Sequence, residues 1–250
     1  MKGFYHVAPL ASIAEDWFVK LSLDYNTLIK NYNALVKNGF LTPSFSQEGE
    51  DKILDRLFPD KNQGFYVDIG AFHPFQYSNT LLFYLKGWRG INIDATHGSM
   101  HLFKDLRRQD INIECCITSD AREVQLDVYN EPALNSIISG RADEMPNQFY
   151  VTEQVKMDSR RLEDILDENL PSGVEIDFMN IDVEGADLEV MHSSNWTKYR
   201  PRVLVVEDGR FEIFNPNASK LFSFCQEEGY KIYAKLVNSL IFVEENFLIH

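Results

Sequence analysis

Two short apolar strands that each end in an acidic residue constrain most strongly how this chain can fold. Residues Phe65–Asp68 lead into the turn Ile69-Gly70, and Ile91–Asp94 repeat the pattern further along the chain. In open α/β sheets the first such turn approaches a nucleotide-like cofactor, and the acid that ends the second strand accepts hydrogen bonds from its ribose. Together the two motifs predict a cofactor site at the carboxyl edge of a parallel sheet.

The composition limits the class of protein. The chain has 250 residues, and 44% of them are hydrophobic, which is enough for a packed core. The formal net charge of −14 argues against a nucleic-acid partner, because phosphate recognition requires a basic face. No apolar run reaches the roughly 18 residues that a membrane-spanning helix needs, and the amino terminus lacks a secretory signal pattern. Three cysteines without disulfide or zinc spacing suit a reducing compartment, so we expect a cytoplasmic protein.

From Gly64 onward, strand and helix patterns alternate, which predicts parallel strands joined by right-handed crossovers. We therefore expect a Rossmann-like α/β domain over residues 46–250. Val124–Tyr129 alternates with a period of two and predicts an inserted hairpin strand. The polar stretch Arg141–Gln154 predicts a mobile loop near the ligand edge. The predicted third strand is Ile111–Ile117, and the last two, Tyr230–Tyr233 and Ser239–Val243, are expected as an antiparallel pair at the sheet edge.

The chain before this domain follows a different pattern. Residues 1–45 are predicted to form a helical arm, since apolar side chains recur at helical spacing from about Ser12 to Asn38. Its expected role is packing or a homodimer contact, with a lid over the substrate as the alternative. The next segment, Ser46–Asp51, resembles a helix start with acids near the positive end of the helix dipole. If this segment also acts as a flap, Gln47 would close over the cofactor.

The turn after the first strand decides between cofactors. A dinucleotide requires the glycine-rich turn G-x-G-x-x-G, but Gly70 is followed by Ala71-Phe72-His73, without a second or third glycine. A pyrophosphate is therefore disfavoured. S-adenosylmethionine has no pyrophosphate, so one glycine is enough for the close approach of its amino-acid end. In that case Asp68 would face the ammonium group and Asp94 would accept from both ribose hydroxyls.

Four motifs, taken in order, resemble those of FkbM-type methyltransferases. They are Ser46–Asp51, Val67–Ala71, Ile93–Ala95 and Asn180–Gly185, and the resemblance runs from about Ser46 to Glu244. The Asp-Val-Glu-Gly element after the fourth strand is the most specific of them. The resemblance implies a class I methyltransferase fold with a mostly parallel seven-stranded sheet and an antiparallel edge strand. It also implies S-adenosylmethionine-dependent O-methylation of sugars or other polyhydroxylated compounds. Pro74 departs from the family pattern, which often has glycine there.

Carboxylates that end two further strands are the candidate catalytic and metal-binding groups. In this topology Asp182 would end the strand nearest the reacting sulfur, and Glu184 lies in the same turn. Asp182 could act as a base, as an acceptor for the substrate hydroxyl or as a metal ligand. Mg²⁺ or another divalent ion, which prefers hard oxygen ligands, could bind a diol here and lower the pKa of one hydroxyl. The candidate metal ligands are Asp182, Glu207 and Asp208; the alternatives are direct hydrogen bonds to the substrate without metal, or simple helix capping.

Other candidate residues surround the expected cofactor. His73 is a candidate general base because its ordinary pKa lies near neutrality, with hydrogen bonding to the local backbone as the alternative. Asn79 would reach the methionine carboxylate or else cap a helix. Ser119 and Asp120, after the third strand, would lie near the adenine. The remaining expected cofactor contacts are Gly70, Ala71, Phe72 and Ala95.

The motifs and the resemblance lead us to expect methyl transfer from S-adenosylmethionine to a hydroxyl of a carbohydrate or glycoconjugate precursor, such as one for a surface polysaccharide. Two other classes stay open. One is a catalytically silent module that keeps the fold and serves in binding or assembly. The other is an NAD-dependent sugar oxidoreductase, against which the missing glycines weigh.

Overall fold

The computed structural model describes residues 41–247 and, before them, Tyr32, Ala34, Val36, Lys37 and Asn38. The chain divides into two compact units, Met1–Ser44 and Phe45–His250, and the second carries the features described below. The helical arm predicted over residues 1–45 falls mostly outside the described residues. The arm and its role in a dimer therefore remain predictions.

Helices and strands alternate through most of the second unit, as the sequence pattern predicts. Its α-helices are α1 (Glu50–Leu57), α2 (Leu81–Leu85), α3 (Met100–Leu106), α4 (Leu162–Asn169), α5 (Asp187–His192) and α6 (Lys220–Glu227). Its strands are β1 (Phe65–Ile69), β2 (Arg89–Asp94), β3 (Ile111–Glu114), β4 (Cys116–Ile117), β5 (Glu123–Tyr129), β6 (Val151–Arg160), β7 (Phe178–Ile181), β8 (Val203–Glu207), β9 (Tyr230–Lys235) and β10 (Ser239–Glu244).

The main sheet has seven strands in the order β3-β2-β1-β7-β8-β10-β9. The five strands from β3 to β8 pair in parallel, whereas β10 is antiparallel to both of its neighbours. The mixed α/β fold with a mostly parallel seven-stranded sheet is therefore confirmed. The predicted antiparallel pair at the sheet edge is also present, with β9 at the edge and β10 between β9 and β8.

Strand β1 is the third of the seven strands in this order and is buried on both faces. Its alternate residues enter two different cores, since Phe65, Val67 and Ile69 pack in one cluster and Tyr66 in another. This alternation follows from the two-residue period of a strand. Because β1, β2, β7 and β8 run in the same direction, the residues that follow them meet at one edge of the sheet.

A smaller sheet in the order β4-β6-β5 lies between β3 and β7 in the sequence. The inserted strand predicted at Val124–Tyr129 is present as part of β5, which pairs antiparallel with β6. Two predictions were wrong in part. The predicted strand Ile111–Ile117 is divided between the two sheets, and the end of the predicted loop Arg141–Gln154 belongs to β6, where pairing with β5 overrides its polar composition. Among the described residues, no helix is both long and apolar enough to cross a bilayer.

Candidate active site

A cleft with two adjoining halves opens at the carboxyl edge of the main sheet. The halves have volumes of about 600 and 550 Å³, including the solvent space at their mouths. Five residues line both of them: Gly70, Phe72, Ala133, Asp182 and Glu184. The apolar half is also lined by Ile69, Ile93, Asp94, Ala95, Cys115, Cys116, Ile117 and Leu126, and the polar half by Gln47, Glu50, Asp68, Ala71, Tyr77, Ser78, Asn79 and Asn180.

The turn after β1 is fixed by Gly70. Its φ of 78° lies in the left-handed region that favours glycine, and its backbone N–H donates to the Ile93 carbonyl over 2.9 Å. A Cβ on Gly70 would collide with the carbonyl oxygen of Asp182. The turn that faces the cofactor site is therefore in direct contact with the turn that carries the candidate catalytic acids.

Asp94 ends β2 at the floor of the apolar half and is only 8% exposed. Its carboxylate accepts the backbone N–H of Phe72 over 2.9 Å and that of Thr96 over 2.8 Å. Burial raises the pKa of Asp94, and these two hydrogen bonds act in the opposite direction. Since a carboxylate offers about four acceptor sites, Asp94 can still accept from hydroxyl groups in the cleft.

The polar half contains a buried amide acceptor. The Asp68 carboxylate is fixed in position, because its two oxygens accept hydrogen bonds from Asn180 Nδ2 and Thr80 Oγ1 over 2.9 and 2.8 Å. Asn79 Nδ2 in turn donates to Asn180 Oδ1 over 2.8 Å. The other amide atom, Asn79 Oδ1, is shielded from solvent and has no hydrogen-bond partner among the described residues. An unpaired buried acceptor at a cleft wall is a site for a donor group of a ligand.

Arg107 stabilises the polar half of the cleft, but it was not among the predicted site residues. Its side chain is 1% exposed, donates to the Pro74 carbonyl over 2.8 Å and to Ser78 Oγ over 2.9 Å, and also bonds Thr80. These contacts fix the loop that carries Asn79. A lone arginine after a short helix gives no signal in the sequence, since its partners come from a distant loop.

Three carboxylates converge beside the polar half. Oxygen atoms of Asp182, Glu184 and Glu207 all lie within 4.8 Å of one another. Asp182 Oδ1 is shielded from solvent and has no hydrogen-bond donor among the described residues. Burial, followed by the charges of Glu207 and Asp187, raises the pKa of Asp182 well above its ordinary value. The cluster therefore has the electrostatic character of a base or of a cation site.

The turn after β7 holds Glu184 in an unusual conformation. Its φ of 57° is left-handed, which costs a residue other than glycine roughly 1–2 kcal/mol. Asp187 supports this turn by accepting the backbone N–H groups of Val183 and Gly185 over 3.3 and 3.1 Å. The Glu184 carboxylate pairs with Arg141, whose pKa burial lowers. Glu184 is thus held in place from both sides.

Burial raises the pKa of Asp187 to about 7. This residue follows the Asp-Val-Glu-Gly motif and was not among the predicted site residues. Because Asp187 accepts two backbone N–H groups of the turn, its role is to stabilise that turn.

Five predicted site residues lie outside the lining of both halves of the cleft. One of them, Glu207, still belongs to the acidic cluster with Asp182 and Glu184. Asp208 faces Ser219, whose hydroxyl donates to it over 2.6 Å, so Glu184 takes the place that was expected for Asp208 in the acidic cluster. Ser119 and Asp120 interact with the exposed Arg122 and Glu189 cluster instead. His73 Nδ1 accepts backbone N–H groups at 3.2 and 3.0 Å, as in the alternative reading of that residue.

The cleft fits S-adenosylmethionine. Its apolar half offers a space beside a carboxylate that can accept ribose hydroxyls, and its polar half offers the unpaired Asn79 oxygen and several acids for a cationic amino-acid end. The turn has a single glycine, so it lacks the glycine-rich loop that binds a pyrophosphate. The fold and this site define a class I methyltransferase.

The sequence profile of the family described as Methyltransferase FkbM domain matches residues 68–232, which is more than half of the 250-residue chain. The chain therefore belongs to the FkbM family of S-adenosylmethionine-dependent methyltransferases.

Several solved structures are similar to this chain at low sequence identity. Methyltransferase FkbM from Methylobacillus flagellatus KT is 13% identical, with a TM-score of 0.43 over 73% of this chain and 44% of that one. The METTL16 MTase domain is 15% identical, with a TM-score of 0.44 over 78% and 65% of the two chains. The human methyltransferase 10 domain containing protein is 14% identical, with a TM-score of 0.43 over 78% and 80%. The chain thus spans less than two thirds of the first two proteins. No curated protein matches it.

Proposed function

We propose that this protein transfers a methyl group from S-adenosylmethionine to a hydroxyl of a sugar or glycoconjugate precursor. The observation that supports the proposal most is the position of Asp182, which lies where the two halves of the cleft meet and has an oxygen without a donor. The sugar as acceptor rests on the family resemblance, since fold alone does not define a substrate. A surface polysaccharide precursor is one such acceptor.

Different residues of the cleft would bind different parts of S-adenosylmethionine. Asp94 would accept the ribose hydroxyls in the apolar half, whose wall includes Cys115 and Cys116. In the polar half, Asn79 Oδ1 would accept from the ammonium group of the amino-acid end, and Gln47 lies at the same wall. When bound, S-adenosylmethionine supplies an electrophilic methyl group on a sulfonium. The turn at Gly70 aligns the two halves, and alignment is the largest contribution a protein makes to an in-line displacement.

Asp182 would take the proton from the acceptor hydroxyl. A carboxylate with a raised pKa is a stronger base than an ordinary one, which improves proton transfer near neutral pH. Glu184 and Glu207, whose oxygens lie within 4.8 Å of it, can accept hydrogen bonds from a neighbouring hydroxyl of the same sugar. The acids would thereby select a hydroxyl-rich acceptor.

Replacement of Asp94 with alanine is expected to weaken the binding of S-adenosylhomocysteine by about 1.5–3 kcal/mol, the range for hydrogen bonds to a charged group. Isothermal titration calorimetry measures this change. Asp120→Ala is the matched control, because Asp120 lies outside both halves of the cleft and its carboxylate pairs with Arg122. Equal affinities for the wild type and Asp94→Ala would remove Asp94 from the ribose role.

As a second role for these acids, in place of proton removal by Asp182, we propose that Asp182, Glu184 and Glu207 hold a divalent cation, which would lower the pKa of a bound hydroxyl. Three converging carboxylates suit Mg²⁺ or Mn²⁺. The alternative is that the same acids contact the acceptor directly. Asp208, which was predicted as a metal ligand, accepts a hydrogen bond from Ser219 instead.

Titration of Mn²⁺ into the protein loaded with S-adenosylhomocysteine tests this site. We expect binding to the wild type and to Asp208→Asn, and loss of binding in Glu207→Gln. A chelator should abolish turnover while S-adenosylhomocysteine still binds. Full turnover in chelator would contradict the metal role and leave the direct role of the acids.

A further inference from the structure

A row of four aromatic rings borders the polar half of the cleft. Phe72 and Tyr77 stack with their centroids 6.3 Å apart and an angle of 18° between the ring planes. The Phe72 ring is 6.1 Å from that of His73, which is in turn 6.3 Å from Phe75. Phe72 lines both halves of the cleft and Tyr77 lines the polar half. The row therefore extends from the candidate reaction centre to the protein surface.

These rings are more exposed to solvent than the aromatic rings of a hydrophobic core. Tyr77 is 38% exposed and Phe75 is 48% exposed. Large exposed apolar groups that adjoin one another, at the rim of a cleft, are typical of a binding surface. Their position beside the candidate active site makes the cleft's own substrate the ligand to consider.

The backbone that presents the two stacked rings is strained. Phe72 and Tyr77 have φ values of 52° and 55°, in a region that is a clear outlier for bulky side chains. Such strain persists where the surrounding structure enforces it, and it concentrates at ligand sites. Packing in a core gives no reason for aromatic residues at these two positions, since glycine or asparagine would adopt the same backbone more easily.

The loop that carries the row is also rigid. His73 Nδ1 accepts the backbone N–H groups of Phe75 and Gln76, and buried Arg107 binds the Pro74 carbonyl. A surface that is already ordered loses little conformational entropy when a ligand binds to it.

We propose that Phe72 and Tyr77 form a stacking platform for the apolar face of a neutral pyranose ring of the acceptor. This inference rests on the proposed function and adds the part of the acceptor that is recognised. Aromatic rings favour flat apolar partners, and the axial C–H groups of a pyranose form such a face. Its hydroxyl groups would then be available to Asp182 and Glu184, which line the same half of the cleft and can accept hydrogen bonds.

The charge of the cleft supports a neutral ring. Glu50, Asp68, Asp182 and Glu184 line the polar half, and no lysine or arginine is among its described lining residues. In the cleft without a bound cation, an anionic sugar, such as a uronate or a sugar phosphate, would be repelled by these acids. The platform therefore favours neutral hexopyranosides.

Saturation-transfer NMR tests the platform with defined probes. The protein is loaded with S-adenosylhomocysteine and mixed with a panel of neutral methyl hexopyranosides, with galactitol as an acyclic polyol without a flat face. We expect saturation of the ring C–H protons of at least one glycoside and none of galactitol. Tyr77→Phe should keep this signal. Tyr77→Gly, in which glycine adopts the same backbone without strain, should weaken glycoside binding roughly tenfold.

The control for ring removal is Tyr233→Ala, because Tyr233 is 40% exposed on the edge strand and lies outside the cleft. It should bind the glycoside as the wild type does. Equal glycoside signals in the wild type and Tyr77→Gly, or no glycoside signal in the wild type, would overturn the platform. The signal of S-adenosylhomocysteine in the same samples reports on the cofactor site separately. Its absence would contradict the proposed function itself, whereas its presence without a ring-dependent glycoside signal contradicts the platform alone.

Discussion

Asp182→Asn is expected to lower kcat by roughly 10²–10⁴-fold, the usual contribution of a positioned general base, and at the same time to raise the melting temperature near neutral pH. Activity falls because the amide cannot take a proton from the acceptor. Stability rises because the native carboxyl lies in a cluster with Glu184 and Glu207, and burial and repulsion disfavour its charged form. A group whose folded-state pKa is raised destabilises the fold progressively as the pH rises above its ordinary pKa.

The two effects together distinguish a functional acid from a structural one, since a structural residue would lose stability along with activity. Turnover is measured as S-adenosylhomocysteine formed with a saturating carbohydrate acceptor, and stability by thermal unfolding. Asp208→Asn is the matched control, because Asp208 ends the same sheet edge but bonds Ser219 outside the cluster. It should retain turnover within a few-fold. Full activity in Asp182→Asn, or an equal loss in both variants, would contradict the role of Asp182.

Gly70→Ala is expected to destabilise the protein by roughly 2–5 kcal/mol and to abolish cofactor binding. The left-handed backbone at Gly70 accounts for about 1–2 kcal/mol of this loss, and the collision of the new Cβ with the Asp182 carbonyl for about 1–3 kcal/mol more. Because the collision can be relieved only if the two turns separate, both the cofactor turn and the acidic cluster should be displaced. Chemical unfolding and calorimetry with S-adenosylhomocysteine measure the two effects.

Gly173→Ala separates the conformational effect from the steric one. Gly173 has a φ of 77°, nearly that of Gly70, and a Cβ there would meet no atom within 4 Å in the part of the chain that the structure describes. This variant should lose only the roughly 1–2 kcal/mol of the left-handed backbone and should bind the cofactor normally. If Gly70→Ala were no less stable than Gly173→Ala and still bound S-adenosylhomocysteine, the two turns would not depend on each other as described.

The alternation of strands and helices was sufficient to predict the parallel sheet, because the buried strands contain continuous apolar runs such as Phe65–Val67 and Val203–Val206. The strand breaks were harder to predict. Residues Ile111–Ile117 were predicted as one strand, but the chain leaves one sheet for another between Glu114 and Cys116, and pairing partners decide such a change. The first residues of β6 are polar because most of them are exposed on the smaller sheet.

The site was predictable where it follows strand ends. Asp94, Asp182 and Glu207 were placed near a common edge by the direction of their strands, and the structure brings them there. Asp208 was expected in the same cluster, but successive residues point to opposite sides of a strand, so only one of the Glu207-Asp208 pair can join the acidic cluster. Spacing alone did not decide which one.

Other parts of the site depend on contacts between distant segments. Arg107 supports a loop more than two dozen residues earlier in the chain, and Arg141 of the inserted segment pairs with Glu184. Cys115 and Cys116 are both buried, and they also line the apolar half of the cleft. No local pattern in the sequence marks such residues.

The most direct test of the central claim is a calorimetric titration of the full-length protein with S-adenosylhomocysteine. Binding of one molecule per chain, weakened by Asp94→Ala and retained in Asp182→Asn, is the result that this site predicts. Absence of binding to the folded wild-type protein, or binding of NAD in its place, would show that the carboxyl edge of this sheet does not hold an S-adenosylmethionine-type cofactor.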